Sequence, residues 1–397
     1  MEKKDLKVAL VHDFLDQYGG AERVLEVLCE MFPEAPIYTL LYDKEKMFAR
    51  RGSAFGGREI HTSFLQKFPK FLRQNKKWLL PFMPTAPETF NLRDFDLIIS
   101  SSGAWSKGIV TRLNTVHVSY IHSPMRFVWD VNEEYLKNRR IGKRIGFLAR
   151  LVLNYVRVWD KAAGDRPDHL IANSIYTQKR IKKYYGRESK IIYPPVFMRQ
   201  ATSDNRQADK NPSPALPLGK GENTANQELK TNNYFLVVSR LSAYKNIDAI
   251  VEAFNKLELP LLVVGEGEES ARLKNMAGKN VKFLGWQKEE NLAEIYAASR
   301  AFIFAAEDDF GIAPVEAMAQ GVPVLALRKG GALETVMEGK TGEFFDSKTP
   351  EIIADTVRRF MENEKNYDKK FIKQRAGEFS KERFIREFND FLEKIVK

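Results

Sequence analysis

One cysteine, Cys29, stands among 397 residues, so no disulfide can form within the chain, and a reducing compartment suits it. No apolar run reaches the roughly 18 residues that a membrane-spanning helix needs. The first apolar run, "KVALVHDF" (7–14), is short and reads as a strand, with no signal-peptide architecture around it. These absences lead to the expectation of a cytoplasmic protein, either soluble or peripheral on the inner face of the cell membrane. No G-x-G-x-x-G follows that first strand, which argues against a nicotinamide-binding turn. No nucleic-acid-binding motif accompanies the charge excess of 63 Lys and Arg over 52 Asp and Glu, so nucleic acid is not an expected partner. Acids are missing altogether from "FLQKFPKFLRQNKKWLLPFMP" (64–84) and from "NRRIGKRIGFLAR" (138–150), which carry five bases each. Bases mixed with large apolar groups suit contact with an anionic membrane. A solvated basic face over a packed apolar one is the other reading of both segments.

What is present fits a two-domain α/β protein. A hydrophobic content of 44% is enough for sizeable cores, and the length exceeds what one small core supports. Short apolar runs at 7–14, 35–43, 95–102, 116–123 and 169–174 alternate with helical patterns, as in a doubly wound parallel sheet. The alternation stops at 199–233, which is rich in Pro, Asn, Lys and Gly and reads as a disordered insertion or linker. We expect its deletion to leave activity intact. Strands resume at 234–241, 259–267, 281–285, 300–306 and 322–327. The expected domains are thus 1–198 and 234–380, with 381–397 an amphipathic helix that packs back on the first domain. Two such sheets are expected to leave a cleft at the carboxyl ends of their strands, where ligands of open α/β sheets bind.

Three stretches carry chemistry. "GGAE" (19–22) lies between the first strand and first helix; Gly19 and Gly20 permit positive φ and close approach of a ligand to the backbone, with a helix N-terminus behind them. "SRLSAYKN" (239–246) places Arg240 at the end of a strand and Lys245 in the loop, two cations suited to a diphosphate. In "AEDDFGIAPVEAMAQG" (306–321), Pro314 fits the first turn of a helix, and the amides of Phe310, Gly311 and Ile312 form a nest for sugar hydroxyls or phosphate oxygens. Asp308 and Glu316 flank that nest as acceptors for paired hydroxyls. Carboxylates beside a phosphate nest fit a sugar nucleotide.

Arg240, Lys245, the acid pair around "FGIAPVE" and the "GGAE" turn together resemble glycosyltransferase family 4, along nearly the whole chain. The resemblance implies a retaining enzyme of the GT-B fold, two Rossmann-like domains facing each other across a cleft. "YIHSPMRFVWD" (120–130) is similar to bacterial polysaccharide mannosyltransferases, which implies GDP-mannose as the donor and a glycan or lipid-linked glycan as the acceptor. It further implies that Gly19 and Gly20 lie against the donor and that Arg240 and Lys245 neutralise the departing diphosphate. Glu316 would hold the ribose. Asp308 and the amides of 310–312 would hold the hexose. The family has glutamate at the position of Asp308, so the neighbouring Glu307 competes for that role. His122, joined by Arg126, would stand near the reacting centre, bonding the sugar or steadying positive charge. Domain closure over the donor is expected too.

No metal or other cofactor is expected, because cationic side chains can carry the leaving diphosphate. "DFD" (94–96) mimics a metal motif but runs into an apolar strand, and reads as the turn before it. His117 and Cys29 read as packed residues, and Trp105 and Trp129 as buried rather than stacked on an acceptor sugar. Two other functions remain open. One is a sugar-nucleotide 2-epimerase, although no acid/base set for it is evident. The other is a non-catalytic protein that binds a nucleotide sugar or glycan.

Overall fold

The computed structural model describes residues 6–51, 55, 57–130, 143–197 and 233–396. Except for Asn233, the expected linker 199–233 lies outside them, as do residues 138–142 of the second basic segment. The chain divides into two compact units, residues 1–195 with 384–397, and residues 196–383.

The first unit is built on a seven-stranded, all-parallel sheet in the order β3-β2-β1-β4-β5-β6-β7. Its strands are β1 (Val8–Leu15), β2 (Ile37–Tyr42), β3 (Ile60–Thr62), β4 (Leu97–Ser102), β5 (Val116–Ile121), β6 (His169–Ala172) and β7 (Lys190–Ile191). The central strands are buried on both faces, so their apolar residues do not alternate with exposed polar ones, and the polar groups they carry, His12 and Asp13 in β1 and Ser100 to Ser102 in β4, are buried too. Leu10 of β1 pairs with Ile37 on one side and Ile99 on the other. The short edge strand β3 was not expected. Nor was the 22-residue helix Lys143–Gly164, which begins inside the second basic segment. Its buried Leu153, Val156 and Trp159 share a core with Leu65, Leu79 and Met83 of the first basic segment. The last helix, Lys381–Ile395, buries Phe384, Phe388 and Leu392 four residues apart. Phe384 meets Tyr120 of β5 edge-on at 5.8 Å, and Phe391 meets His169 of β6 at 5.9 Å.

The second unit has six parallel strands in the order β10-β9-β8-β11-β12-β13. They are β8 (Phe235–Val238), β9 (Leu261–Val264), β10 (Val281–Gly285), β11 (Ala301–Phe304), β12 (Val324–Leu327) and β13 (Gly342–Phe345). Phe254 of helix Ile247–Leu257 and Phe360 of helix Pro350–Asn363 both pack on Phe235 of β8, at 5.2 and 6.1 Å. In each sheet the strand order reverses beside the first strand, between β1 and β4 and between β8 and β11. The crevice outside the carboxyl ends of such a strand pair is where open α/β sheets bind ligands.

Candidate functional site

In the first unit the expected residues gather at the reversal between β1 and β4. Helix Gly20–Met31 starts directly after the loop that follows β1. Gly19 is extended (φ −154°, ψ −155°) and Gly20 is helical, which corrects the expectation of positive φ. What the glycines provide is room. The Gly19 N–H donates to Glu22 Oε2 at 2.7 Å, and a Cβ on Gly19 would come within 3.3 Å of that oxygen.

His122 follows β5. Its N–H donates to the Ser102 carbonyl (2.8 Å), its carbonyl accepts from Asn173 Nδ2 (2.9 Å), and its ring stands edge-on to Tyr120. Its Nε2 is 2.8 Å from Ser101 Oγ. Burial, then the neighbouring His12, push its pKa down to about 3 against the opposing pull of Asp13, so the ring is neutral at physiological pH. Arg126 begins the short helix Arg126–Trp129, with its guanidinium 5.9 Å from the Tyr176 ring. Arg180 lies over the same ring and donates to Ser123 Oγ at 2.8 Å.

Two residues here went unread in the sequence. His12, buried in β1, joins Glu22 to Ser101. Asp13, next to it, accepts four backbone N–H bonds. Gly103 and Ala104 donate to one carboxylate oxygen at 2.8 and 2.7 Å, and Trp105 and Ser106 donate to the other at 2.9 and 2.7 Å. This one carboxylate therefore sets the loop after β4. Neither contact is visible as spacing, because the partners lie about 90 residues apart.

The packed readings hold for His117, Cys29 and Trp105, while Trp129 is only half-buried. His117 is buried with Nε2 2.8 Å from Ser100 Oγ. Burial pushes the Cys29 thiol up to about 12. Trp105 is buried, and Trp129 stacks on Tyr184 while donating to Asp160. Asp96 accepts from the Lys7 N–H in the turn before β4. Among the described residues, no group of three or more His, Cys, Asp or Glu is placed to hold a metal ion.

In the second unit the expected residues gather at the reversal between β8 and β11. Arg240 is exposed just beyond β8. Lys245 ends a short 3-10 turn, and Asn246 then ties that loop to β11 through the Ala305 carbonyl (2.9 Å). Lys245 Nζ lies 2.5 Å from Asp308 Oδ2, so two residues expected to meet separate parts of a ligand are paired with each other. Burial lowers the Lys245 pKa, but Asp308 and Tyr244 outweigh it and the net direction is upward, which keeps the ammonium charged. Glu307 instead approaches Lys329, at 3.9 Å.

Gly311, at φ +84°, caps helix Ile312–Ala319, and Pro314 sits in its first turn. Phe310 is buried edge-on to Phe379. Glu316, one turn on, accepts from the Tyr296 hydroxyl at 3.1 Å. The glycine pair after β12 also belongs here. A Cβ on Gly330 would lie 2.2 Å from the Asp308 carbonyl oxygen and one on Gly331 2.3 Å from that of Phe310, so only glycine lets these loops meet. Two glycines soon after a strand were the available signal. "GEGE" (265–268) does the same beside β8: a Cβ on Gly265 would lie 1.9 Å from the Ser239 carbonyl oxygen.

Comparison with known proteins bears on the family and the fold. Residues 18–197 match the family model described as Glycosyltransferase Family 4, and residues 220–376 match that of Glycosyl transferases group 1, together more than four fifths of the chain. The N-acetyl-alpha-D-glucosaminyl L-malate synthase of Bacillus anthracis is 31% identical over 40% of this chain and 42% of its own length. A GDP-mannose-dependent alpha-(1-6)-phosphatidylinositol monomannoside mannosyltransferase of Mycobacterium tuberculosis is 26% identical over 50% and 54%. The chain thus spans about half the length of these curated relatives. Alpha-1,3/1,6-mannosyltransferase ALG2 of Dictyostelium discoideum is 23% identical over 99% of both chains. Among solved structures, the sucrose-phosphate synthase of Thermosynechococcus elongatus superposes with a TM-score of 0.70 at 17% identity, covering 98% of this chain and 99% of its own. The chain belongs to the family 4 glycosyltransferases, and its two Rossmann-like units are those of the GT-B fold.

Proposed function

We propose that this chain is a retaining hexosyltransferase that moves mannose from GDP-mannose to a glycan or lipid-linked glycan in polysaccharide assembly. The observation that carries the reading is the cluster of Arg240, Lys245, Asp308, Gly311 and Glu316 at one strand reversal. Arg240 and the charged Lys245 neutralise the leaving diphosphate, a role that requires no metal ion. Glu316 accepts from the ribose hydroxyls. Asp308, held by Lys245, and the amides of 310–312 take the hexose. The first unit supplies Gly19, Gly20, His122 and Arg126. The acceptor oxygen bonds to the anomeric carbon on the face that the diphosphate leaves, and its proton passes to the departing phosphate oxygen. The mannosyltransferases among the relatives support the choice of sugar.

Attachment to an anionic membrane belongs to the same proposal. Phe71 and Trp78 of the first basic segment are 63% and 73% exposed beside the exposed Lys67, Lys70 and Lys77. On helix Lys143–Gly164, Phe147, Leu151, Tyr155 and Val158 are exposed at the spacing of one helical face. Among the described residues no helix is long and apolar enough to cross a membrane.

The test is nucleotide release from a panel of nucleotide sugars, with and without chelator. Release fastest from GDP-mannose, unchanged by chelator and lost in Glu316→Ala, supports the proposal. Preference for a uridine nucleotide replaces the donor. Tight donor binding by calorimetry without turnover on any lipid-linked acceptor overturns the enzyme in favour of a binding protein.

A further inference from the structure

A chain of polar groups runs through the first unit from the glycine turn to His122. Gly19 N–H bonds one oxygen of Glu22; the other oxygen lies 3.5 Å from His12 Nε2. His12 Nδ1 is 3.1 Å from Ser101 Oγ, and the same Oγ is 2.8 Å from His122 Nε2. His12, Glu22 and Ser101 are all buried, so water does not compete for these contacts.

The direction of the chain follows from proton counting. A hydroxyl has one proton and two lone pairs, so Ser101 can donate to at most one imidazole and, where it does, must accept from the other. Glu22 decides between them. A carboxylate can only accept, and at 3.5 Å its charge favours a proton on the His12 nitrogen that faces it. In its neutral form His12 then has a bare Nδ1, which accepts from Ser101. Ser101 in turn accepts from His122, whose proton must be on Nε2. His122 is left with a bare Nδ1, and among the described residues nothing bonds that atom.

We propose that Glu22, His12 and Ser101 are positioning residues that hold His122 as its Nε2–H tautomer, so that Nδ1 is offered as an acceptor to a hydroxyl of the transferred sugar. The last step rests on the transferase reading, while the tautomer does not. Burial and the neighbouring His12 hold the His122 pKa down at about 3, which favours the neutral ring at physiological pH. The same carboxylate holds both the glycine turn and the start of the relay, so a change at residue 22 reaches His122 without touching it.

The test uses the full-length chain with ¹⁵N-labelled histidine at pH 8, above the range in which histidines ordinarily titrate. Long-range ¹H–¹⁵N spectra report the tautomer of each of the five histidines, assigned by single His→Gln variants. The expected result is His122 protonated on Nε2 in the native chain. In Glu22→Gln the carboxamide can donate to His12 Nε2, which reverses the relay and moves the His122 proton toward Nδ1. Ser101→Ala, which cuts the relay, is expected to leave His122 in both tautomers, and serves if Glu22→Gln does not fold. For transfer, Glu22→Gln should lower kcat about tenfold, one hydrogen bond's worth, with the donor KM little changed. Native His122 protonated on Nδ1, or an unchanged tautomer in a folded Glu22→Gln or Ser101→Ala, overturns the relay. The expected spectra in a chain that transfers no sugar overturn the hydroxyl partner and the transferase reading, not the relay.

Discussion

Replacing Asp13 by asparagine changes one oxygen into an NH₂ group and should undo half of the loop after β4. Each carboxylate oxygen accepts two backbone N–H groups, from Gly103 and Ala104 or from Trp105 and Ser106. In the variant, one of those amide pairs faces a donor instead of an acceptor. A hydrogen bond to a charged group contributes about 1.5–3 kcal/mol, so two of them lost amount to about 3–6 kcal/mol. Relaxation of the loop brings the observed cost toward the lower figure. With a urea slope of about 1–3 kcal/mol per molar, the unfolding midpoint of the first unit should fall by about 1 M or more. Intrinsic fluorescence follows the midpoint, and hydrogen exchange reads the four amides directly. Exchange should quicken at 103–106 more than in the strands of the same sheet. An unmoved midpoint with amides 103–106 as protected as in the native chain would refute the four-bond capping role.

Three other outcomes are expected. Lys107 and Asp160 form a buried ion pair at 2.5 Å, so Lys107→Met should cost about 3–5 kcal/mol in urea unfolding, and adding Asp160→Asn should recover part of it by removing the stranded charge. His117 stays neutral down to about pH 3 because of burial, then Arg187 and Arg166. Its unfolded form takes a proton near 6.5, so its contribution should be full above that pH and fall by about 1.4 kcal/mol per unit as pH drops toward 3; His122, shifted the same way, adds a like slope, so His117→Asn should remove only its own share. Sedimentation with vesicles containing anionic lipid should capture the native chain at low salt. Trp78→Ser with Phe147→Ser should weaken capture at least about tenfold, since each large apolar group buried is worth about 1.5–3 kcal/mol, and equal capture by neutral vesicles would sink the charge argument.

The two sheets were legible because parallel strands covered on both faces leave unbroken apolar runs, as "LLVV" and "VLAL" do. The loops at 240–245 and 307–316 were legible because a charge or a glycine at the end of an apolar strand has few other uses. Helix Lys143–Gly164 was not, for a physical reason: apolar residues lie on its exposed face as well as its buried one, which spoils the helical period. The relay through His12 and Ser101 and the capping by Asp13 depend on β1 lying next to β4. That order is a property of long-range pairing, and no local pattern announces it. The Lys245–Asp308 pair spans 63 residues and was hidden in the same way.

The return of the last helix to the first unit bears on how the chain is made. Synthesis runs from the N-terminus, yet Phe384, which packs on Tyr120, emerges only after about 190 residues of the second unit. At a synthesis rate of about 5–20 residues per second, the first sheet waits roughly 10–40 s with its Tyr120 side uncovered. A fragment that stops at residue 195 would remain in that condition, and supplying residues 381–397 as a separate peptide is the direct way to complete it.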